Sequence, residues 1–186
     1  MAELMVDYIT SLDGFGSAQG WPGLWGMGGP EYFEFLAEDA KQEFTVLMGA
    51  HTYRLFAEFA RSGAEDMSDM TRRAKVVFSR SLREPLEWAN TTLSAGDAVE
   101  TVRQMKRGNV ALRTVGSPSL CRSLLKAGLV DRYRVVIFPV VNGATGADRI
   151  YDDWPDVTLQ PTALRVLDGR LQLFEAKPTV LEGPPQ

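Results

Sequence analysis

The sequence predicts an α/β domain of three layers (α/β/α), with a mixed, mostly parallel, twisted sheet that closes in a C-terminal antiparallel hairpin. Three observations predict it. Short apolar runs, among them Phe44–Met48 (FTVLM), Ala74–Phe78 (AKVVF) and Tyr133–Phe138 (YRVVIF), suit strands covered on both faces. Stretches with apolar residues at helical spacing separate them, the alternation that builds parallel sheets. Asp168-Gly169 lies between Ala163–Leu167 and Leu171–Ala176, and this turn pair between two alternating runs favours a hairpin.

Taken in order, Met5–Thr10 (MVDYIT) is the first strand. Ser11–Pro30 holds Gly14, Gly16, Gly20, Gly23, Gly26, Gly28 and Gly29. That density predicts no regular element, because ordered glycine loses the most backbone freedom. The stretch reads as a long mobile loop of the kind that covers an active site. Trp21 and Trp25 within it need an apolar surface, part of which a ligand could supply. Pro30 suits a first helical position, and Glu31–Phe44 continues the helix with Phe33, Leu36, Ala40 and Phe44 on one face. After the strand Phe44–Met48, His51–Ala60 forms a helix with Thr52, Phe56, Phe59 and Ala60 inward. Ser62–Thr71 reads as a polar loop, Ala74–Phe78 as a strand and Thr91–Leu93 as a short one. Asp97 with Glu100 fits a capping box for a helix through Met105. Val110–Val115 is a strand. Ser117 and Pro118 are the N-cap and first position of a helix with Leu120, Leu124 and Leu125 inward, stopped by Gly128. Tyr133–Phe138 is the strand that Pro139 ends.

The 186 residues suit one domain over 1–180, with a frayed tail at 181–186. Twenty Lys and Arg against 24 Asp and Glu give a net charge of −4, without the basic surface that nucleic acid requires. One cysteine, Cys121, and one histidine, His51, exclude an internal disulfide and a Cys/His zinc site, so no metal is expected. Met1–Thr10 lacks the basic start of a signal peptide, and no apolar run approaches the ~20 residues that span a bilayer. A cytoplasmic protein without membrane association is therefore expected.

Parallel sheets bind ligands at the carboxyl ends of their strands. Three junctions stand there: Gly49-Ala50-His51-Thr52, Ser79-Arg80-Ser81 and Gly116-Ser117-Pro118-Ser119. Two of them open helices, whose free N–H groups suit phosphate. The familiar dinucleotide fingerprint is not satisfied: Gly14-Phe15-Gly16 is followed by Gly20, and no helix starts there.

Several short motifs in one order carry a resemblance. They are Ser11-Leu12-Asp13-Gly14, Val46–Tyr53 (VLMGAHTY), Lys75–Arg80 (KVVFSR), Val115–Leu120 (VGSPSL), Leu124, Ala127–Asp131 (AGLVD) and Phe138–Gly143 (FPVVNG). From about Met5 to Phe174 the chain resembles the dihydrofolate-reductase-like superfamily. It is most similar to the reductase domain at the C-terminus of the bifunctional riboflavin-biosynthesis deaminase-reductase. The resemblance implies an NADPH-dependent oxidoreductase acting by hydride transfer on a small pterin- or pyrimidine-like heterocycle. It implies that Gly49, Ala50, His51 and Thr52 lie beside the cofactor's pyrophosphate and adenosine, with Ile9 also at the cofactor. Ser79 and Arg80 would meet the 2′-phosphate, and Gly116, Ser117, Pro118, Ser119 and Leu120 would wrap the pyrophosphate. The loop from Asp13 to Gly29 would close over the nicotinamide. Ala50 stands where many members have arginine, Val115 where riboflavin reductases tend to have glutamate, and Gly116-Ser117 where many have a cis Gly-Gly. One His and one Cys do not supply the zinc motif of the family's deaminase half, so a stand-alone reductase is expected.

Reduction also takes a proton, and a carboxyl with a raised pKa could deliver it. Asp13 and Glu31 are the candidates, with Trp21, Trp25, Tyr32 and Phe33 as an apolar, stacking wall for the substrate. Arg72 and Arg73 are either a solvated pair or a clamp for an anionic tail. The resemblance suggests a homodimer, with the hairpin's Val166, Leu171 and Leu173 either in the core or at the subunit contact. The alternative function is a non-catalytic NADPH- or nucleotide-binding or sensor module on the same fold.

Overall fold

The central strands are buried on both faces, and this generates the layers. The computed structural model describes residues 1–21, 23–63 and 66–183. The strands are β1 (Leu4–Ser11), β2 (Phe15–Ala18), β3 (Phe44–Gly49), β4 (Lys75–Phe78), β5 (Thr91–Ser94), β6 (Ala111–Thr114), β7 (Arg132–Phe138), β8 (Gly146–Arg149), β9 (Val157–Leu167) and β10 (Leu171–Val180). The helices are α1 (Pro30–Asp39), α2 (Ala50–Ser62), α3 (Ser68–Arg72), α4 (Ala98–Met105) and α5 (Pro118–Lys126). Eight strands form one sheet in the order β5-β4-β3-β6-β1-β7-β10-β9. The first six run parallel, and β10 and β9 close it antiparallel. On one face Leu4, Val6 and Tyr8 of β1 pack with Val102 of α4 and with Leu120, Cys121, Leu124 and Leu125 of α5. On the other, Val46, Met48 and Val77 meet Tyr53 of α2, while Tyr32 of α1 meets Val136, Phe138, Leu167, Leu171 and Leu173. No helix among the described residues is long and apolar enough to cross a membrane.

Three expectations are corrected. First, the glycine-rich stretch is not free of regular structure. Phe15–Ala18 pairs with Gly146–Arg149 as a two-stranded ribbon, and Leu24–Gly26 is a 3₁₀ turn. The ribbon needs Gly146 for space: a β-carbon there would stand 2.5 Å from the Phe15 ring. Gly146→Ala is thus expected to cost about 1–3 kcal/mol, read as a lower denaturation midpoint, because a rigid ring cannot give way.

Second, the predicted helix Glu31–Phe44 stops at Asp39. The Arg73 guanidinium, arriving from beyond α3, donates to the carbonyls of Ala40 and Gln42 and fixes a turn there. Phe33 and Leu36 face outward, whereas Tyr32 and Asp39 are buried. Third, Ser62 ends α2 and Ser68–Arg72 forms α3 where a loop was expected. Asp69 pairs with both arginines, but only Arg73 is buried; Arg72 stays solvated, its side chain 77% exposed. The buried Lys75 ammonium donates to the carbonyls of Met70 (2.8 Å), Thr71 (3.1 Å) and Arg73 (2.7 Å), closing the end of α3. Beyond β10, the Leu181 N–H donates to Asp156 O at 2.8 Å. Residues 184–186 lie outside the described residues.

Toward the amino ends of the central strands sits a buried ionic cluster. Arg134 of β7 donates through Nε to Asp7 Oδ1 (2.9 Å), through Nη1 to Asp39 Oδ1 (2.9 Å) and through Nη2 to Asp39 Oδ2 (2.9 Å). Arg113 of β6 donates to the same Asp39 Oδ2 and lies 3.8 Å over the Phe44 ring.

Candidate active site

Sheet order brings the three predicted junctions together. β4, β3 and β6 are neighbours, with Gly49 opposite Phe78 and Leu47 opposite Thr114. The turns after β3 and β6 are tied by one hydroxyl. Ser117 Oγ accepts the Gly49 N–H at 2.8 Å and shares a 2.8 Å hydrogen bond with Thr52 Oγ1. Gly116 and Ser117 both have left-handed backbone (φ 53° and 62°), and this turns the Ser117 side chain away from its own helix. Ser117 is therefore an N-cap by position but not by hydrogen bond. No side chain caps α5 or α2. Two helix N-termini thus face the strand ends without side-chain partners for their first N–H groups. Among the described residues Glu84–Pro85 is the cis peptide, so Gly116-Ser117 is trans.

Around this tie, Pro118 takes the first turn of α5, Ser119 is exposed and Leu120 lies in the core. Ala50 and exposed His51 open α2. Ser79 Oγ accepts the N–H groups of Ser81 and Leu82, both at 3.1 Å, which shapes the turn after β4. Arg80 is exposed, and no ion pair or side-chain hydrogen bond engages its guanidinium among the described residues.

The aromatic residues separate. Trp25 lies 5.2 Å from Phe138 and 5.6 Å from Trp21, ring centre to ring centre, so both tryptophans settle over the ends of β1 and β7. Leu24 and Trp25 hold left-handed backbone (φ 47° and 48°), a strained arrangement for two large side chains. Ile9, partly buried, packs against the same cluster. Tyr32 is a core residue, and Phe33 is half exposed and lies against Gly28, so these two form no open wall.

Neither candidate carboxyl is free. Asp13 Oδ1 accepts from Ser11 Oγ (2.6 Å) and the Asn142 N–H (3.1 Å), and Oδ2 accepts the Gly143 N–H (2.9 Å). The Ser11 hydroxyl, followed by Gly143 N–H, holds this carboxyl down to about 2, opposite to what a proton donor needs. Its folded pKa lies below the ordinary 3.8, so its stabilisation is present above that value and lost as pH falls towards 2. Wild type is expected to melt higher than Asp13→Asn at neutral pH, with the gap closing between about pH 4 and pH 2. A gap that persists below pH 2 would count against this role. The Glu31 carboxylate accepts the Asp168 N–H, while Asp168 accepts the N–H groups of Glu31 (2.9 Å) and Tyr32 (3.2 Å). Glu31 is thus clasped to the hairpin turn.

Sequence reasoning missed Asn142. Its Oδ1 accepts the Trp25 Nε1–H at 3.0 Å, and its backbone is held by Asp13. Asn142 entered the sequence reading only within the motif Phe138–Gly143, which carries no mark of this partner.

Comparison with protein families matches residues 2–173 to the RibD C-terminal domain. A protein from Shewanella sp. PV-4 assigned to riboflavin biosynthesis superimposes with a TM-score of 0.76 at 20% identity, over 96% of this chain and 99% of that one. The Thermotoga maritima diaminohydroxyphosphoribosylaminopyrimidine deaminase/5-amino-6-(5-phosphoribosylamino)uracil reductase gives 0.67 at 14% identity, over 96% of this chain and 57% of its own longer chain. The dihydrofolate reductase of Enterococcus faecalis, complexed with NADP(H), gives 0.61 at 14%, over 95% and 96%. At such identities these structures establish the fold, which is dihydrofolate-reductase-like. No curated protein matches the chain.

Proposed function

The chain belongs to the RibD C-terminal domain family, and from that premise we propose that it is an NADPH-dependent reductase of a small pterin- or pyrimidine-like heterocycle. The observation that carries the reading is the Ser117 tie, which holds two uncapped helix N-termini side by side at the strand ends. Backbone N–H groups with positive dipole ends suit a dinucleotide's phosphates. Gly49, Ala50, His51 and Thr52, with Gly116, Ser117, Pro118, Ser119 and Leu120, are the residues for the pyrophosphate and adenosine side. Ser79 and the unpaired Arg80 suit a 2′-phosphate. When bound, NADPH supplies the hydride. The chain's part is to hold and orient: Ile9, Trp21 and Trp25 offer an apolar cover over the ends of β1 and β7 that excludes water.

The test is a titration with NADPH followed by cofactor fluorescence. Saturation below millimolar concentration is expected, and a flat response overturns the reading. Loss of NADPH absorbance with a panel of pterins and pyrimidines then identifies the substrate. A second reading, a non-catalytic NADPH-binding or sensor module, draws on the engagement of both Asp13 and Glu31. Saturable binding with no turnover across the panel would select it. Turnover would instead require the proton to come from water or from the substrate.

A cytoplasmic homodimer goes with the proposal. Leu171 and Leu173 are in the core, but Leu164 (69% exposed) and Val166 (61%) lie uncovered on the edge strand β9. A second copy covering them would bury that apolar face. Arg substitution of both is expected to halve the mass seen by sedimentation, and an unchanged mass removes this contact.

A further inference from the structure

Four buried side-chain atoms among the described residues have no hydrogen-bond partner: Tyr8 Oη, Trp21 Nε1, Asn142 Nδ2 and Trp154 Nε1. Two of them flank one ring. Trp25 Nε1–H donates to Asn142 Oδ1, and an indole N–H can only donate. That bond fixes the orientation of the carboxamide and leaves Nδ2 as its free end. Trp21 stands on the same indole, 5.6 Å away. The Asn142 side chain is not loosely placed. Its backbone N–H and that of Gly143 are both held by Asp13, and Trp25 is seated on Phe138. Buried donors are nearly always paired, so two unpaired ones in a single cluster call for an explanation.

We infer that Asn142 Nδ2 and Trp21 Nε1 are ligand-facing donors that orient a bound ring through its carbonyl oxygen. The inference rests on the reductase reading and adds the residues that set the ring's position. Both donors are uncharged, which favours a neutral acceptor over an anion. A carbonyl oxygen has two lone pairs and can take two donors. A planar amide also lies flat against an indole. The cofactor's carboxamide and the ring carbonyl of a heterocyclic substrate share this chemistry.

Two variants separate the possibilities. Asn142→Asp keeps an acceptor for Trp25 and removes the donor. Trp21→Phe keeps a ring and removes the N–H. Each variant is expected to weaken ligand binding about tenfold, the scale of one lost hydrogen bond. A rise in the NADPH Kd assigns the donors to the carboxamide. An unchanged Kd with a raised substrate KM and preserved kcat assigns them to the substrate. Wild-type Kd and KM in both variants overturn the inference while the reductase reading stands. Failure of wild type to bind NADPH removes the reductase reading and the inference together.

Discussion

Asp39→Ala is expected to lower the folding free energy by about 3–5 kcal/mol, measured by urea denaturation. Asp39 sits at the end of α1 and answers two guanidinium groups at once, Arg113 and Arg134. Their side chains are 8% and 4% exposed, so water cannot replace the lost carboxylate. Removing one partner of a buried pair leaves uncompensated charge, and here two cations share the loss. Asp7 remains on Arg134, so Arg113 is the residue stranded. Arg113→Met in the Asp39→Ala background should therefore recover part of the stability. Additive losses would count against this account. The cluster also sets an acid limit. Burial raises the Asp39 pKa, but Arg134 and then Arg113 more than reverse the effect, so the carboxyl titrates below its ordinary range. Its stabilisation is complete above the unfolded value and lost as pH falls through the folded one. Against a typical total of about 5–15 kcal/mol, this one side chain carries a large share of the domain's stability.

Arg80→Ala is expected to weaken NADPH binding about tenfold to a hundredfold while leaving NADH unchanged, the range of a charge-assisted hydrogen bond. Arg80 follows β4, next to the turns of β3 and β6, and its guanidinium has no protein partner to compete for it among the described residues. Ala50 brings no cation to the neighbouring turn, so on the proposed reading the discrimination falls to Arg80. The comparison of the two cofactors by fluorescence titration is the measurement. Equal loss for both would remove the role, and no loss for either would move the 2′-phosphate elsewhere.

The central strands were legible because parallel strands buried on two faces are written as apolar runs, as in FTVLM and YRVVIF. The ribbon of β2 and β8 was not. FGSA and GADR carry no alternation, and the two pair across more than 120 residues of chain. The end of α1 was hidden for a related reason: Arg73, 31 and 33 residues downstream, fixes the turn that stops it. Within the candidate site, the small residues at the strand ends were visible, and their adjacency followed from the sheet order. The fates of the carboxyls were not. Asp13 is engaged by Asn142 and Gly143, 129 and 130 residues away, and Glu31 by Asp168, 137 residues away. A turn pair and a first-turn glutamate look the same in sequence whether free or clasped.

That last clasp has a consequence for biosynthesis. Gly29 has no room for a side chain, because a β-carbon there would overlap the Asp168 carboxylate. The exit of the tryptophan-bearing segment is thus moulded against a residue translated 139 positions later, and Leu171 and Leu173 complete the apolar floor beneath it. While the chain is still emerging from the ribosome, the parallel strands can pair, but the cover over them cannot settle. A nascent chain stalled before the hairpin would present its indoles and strand ends to chaperones and proteases, and only the arrival of β10 completes the domain's interior.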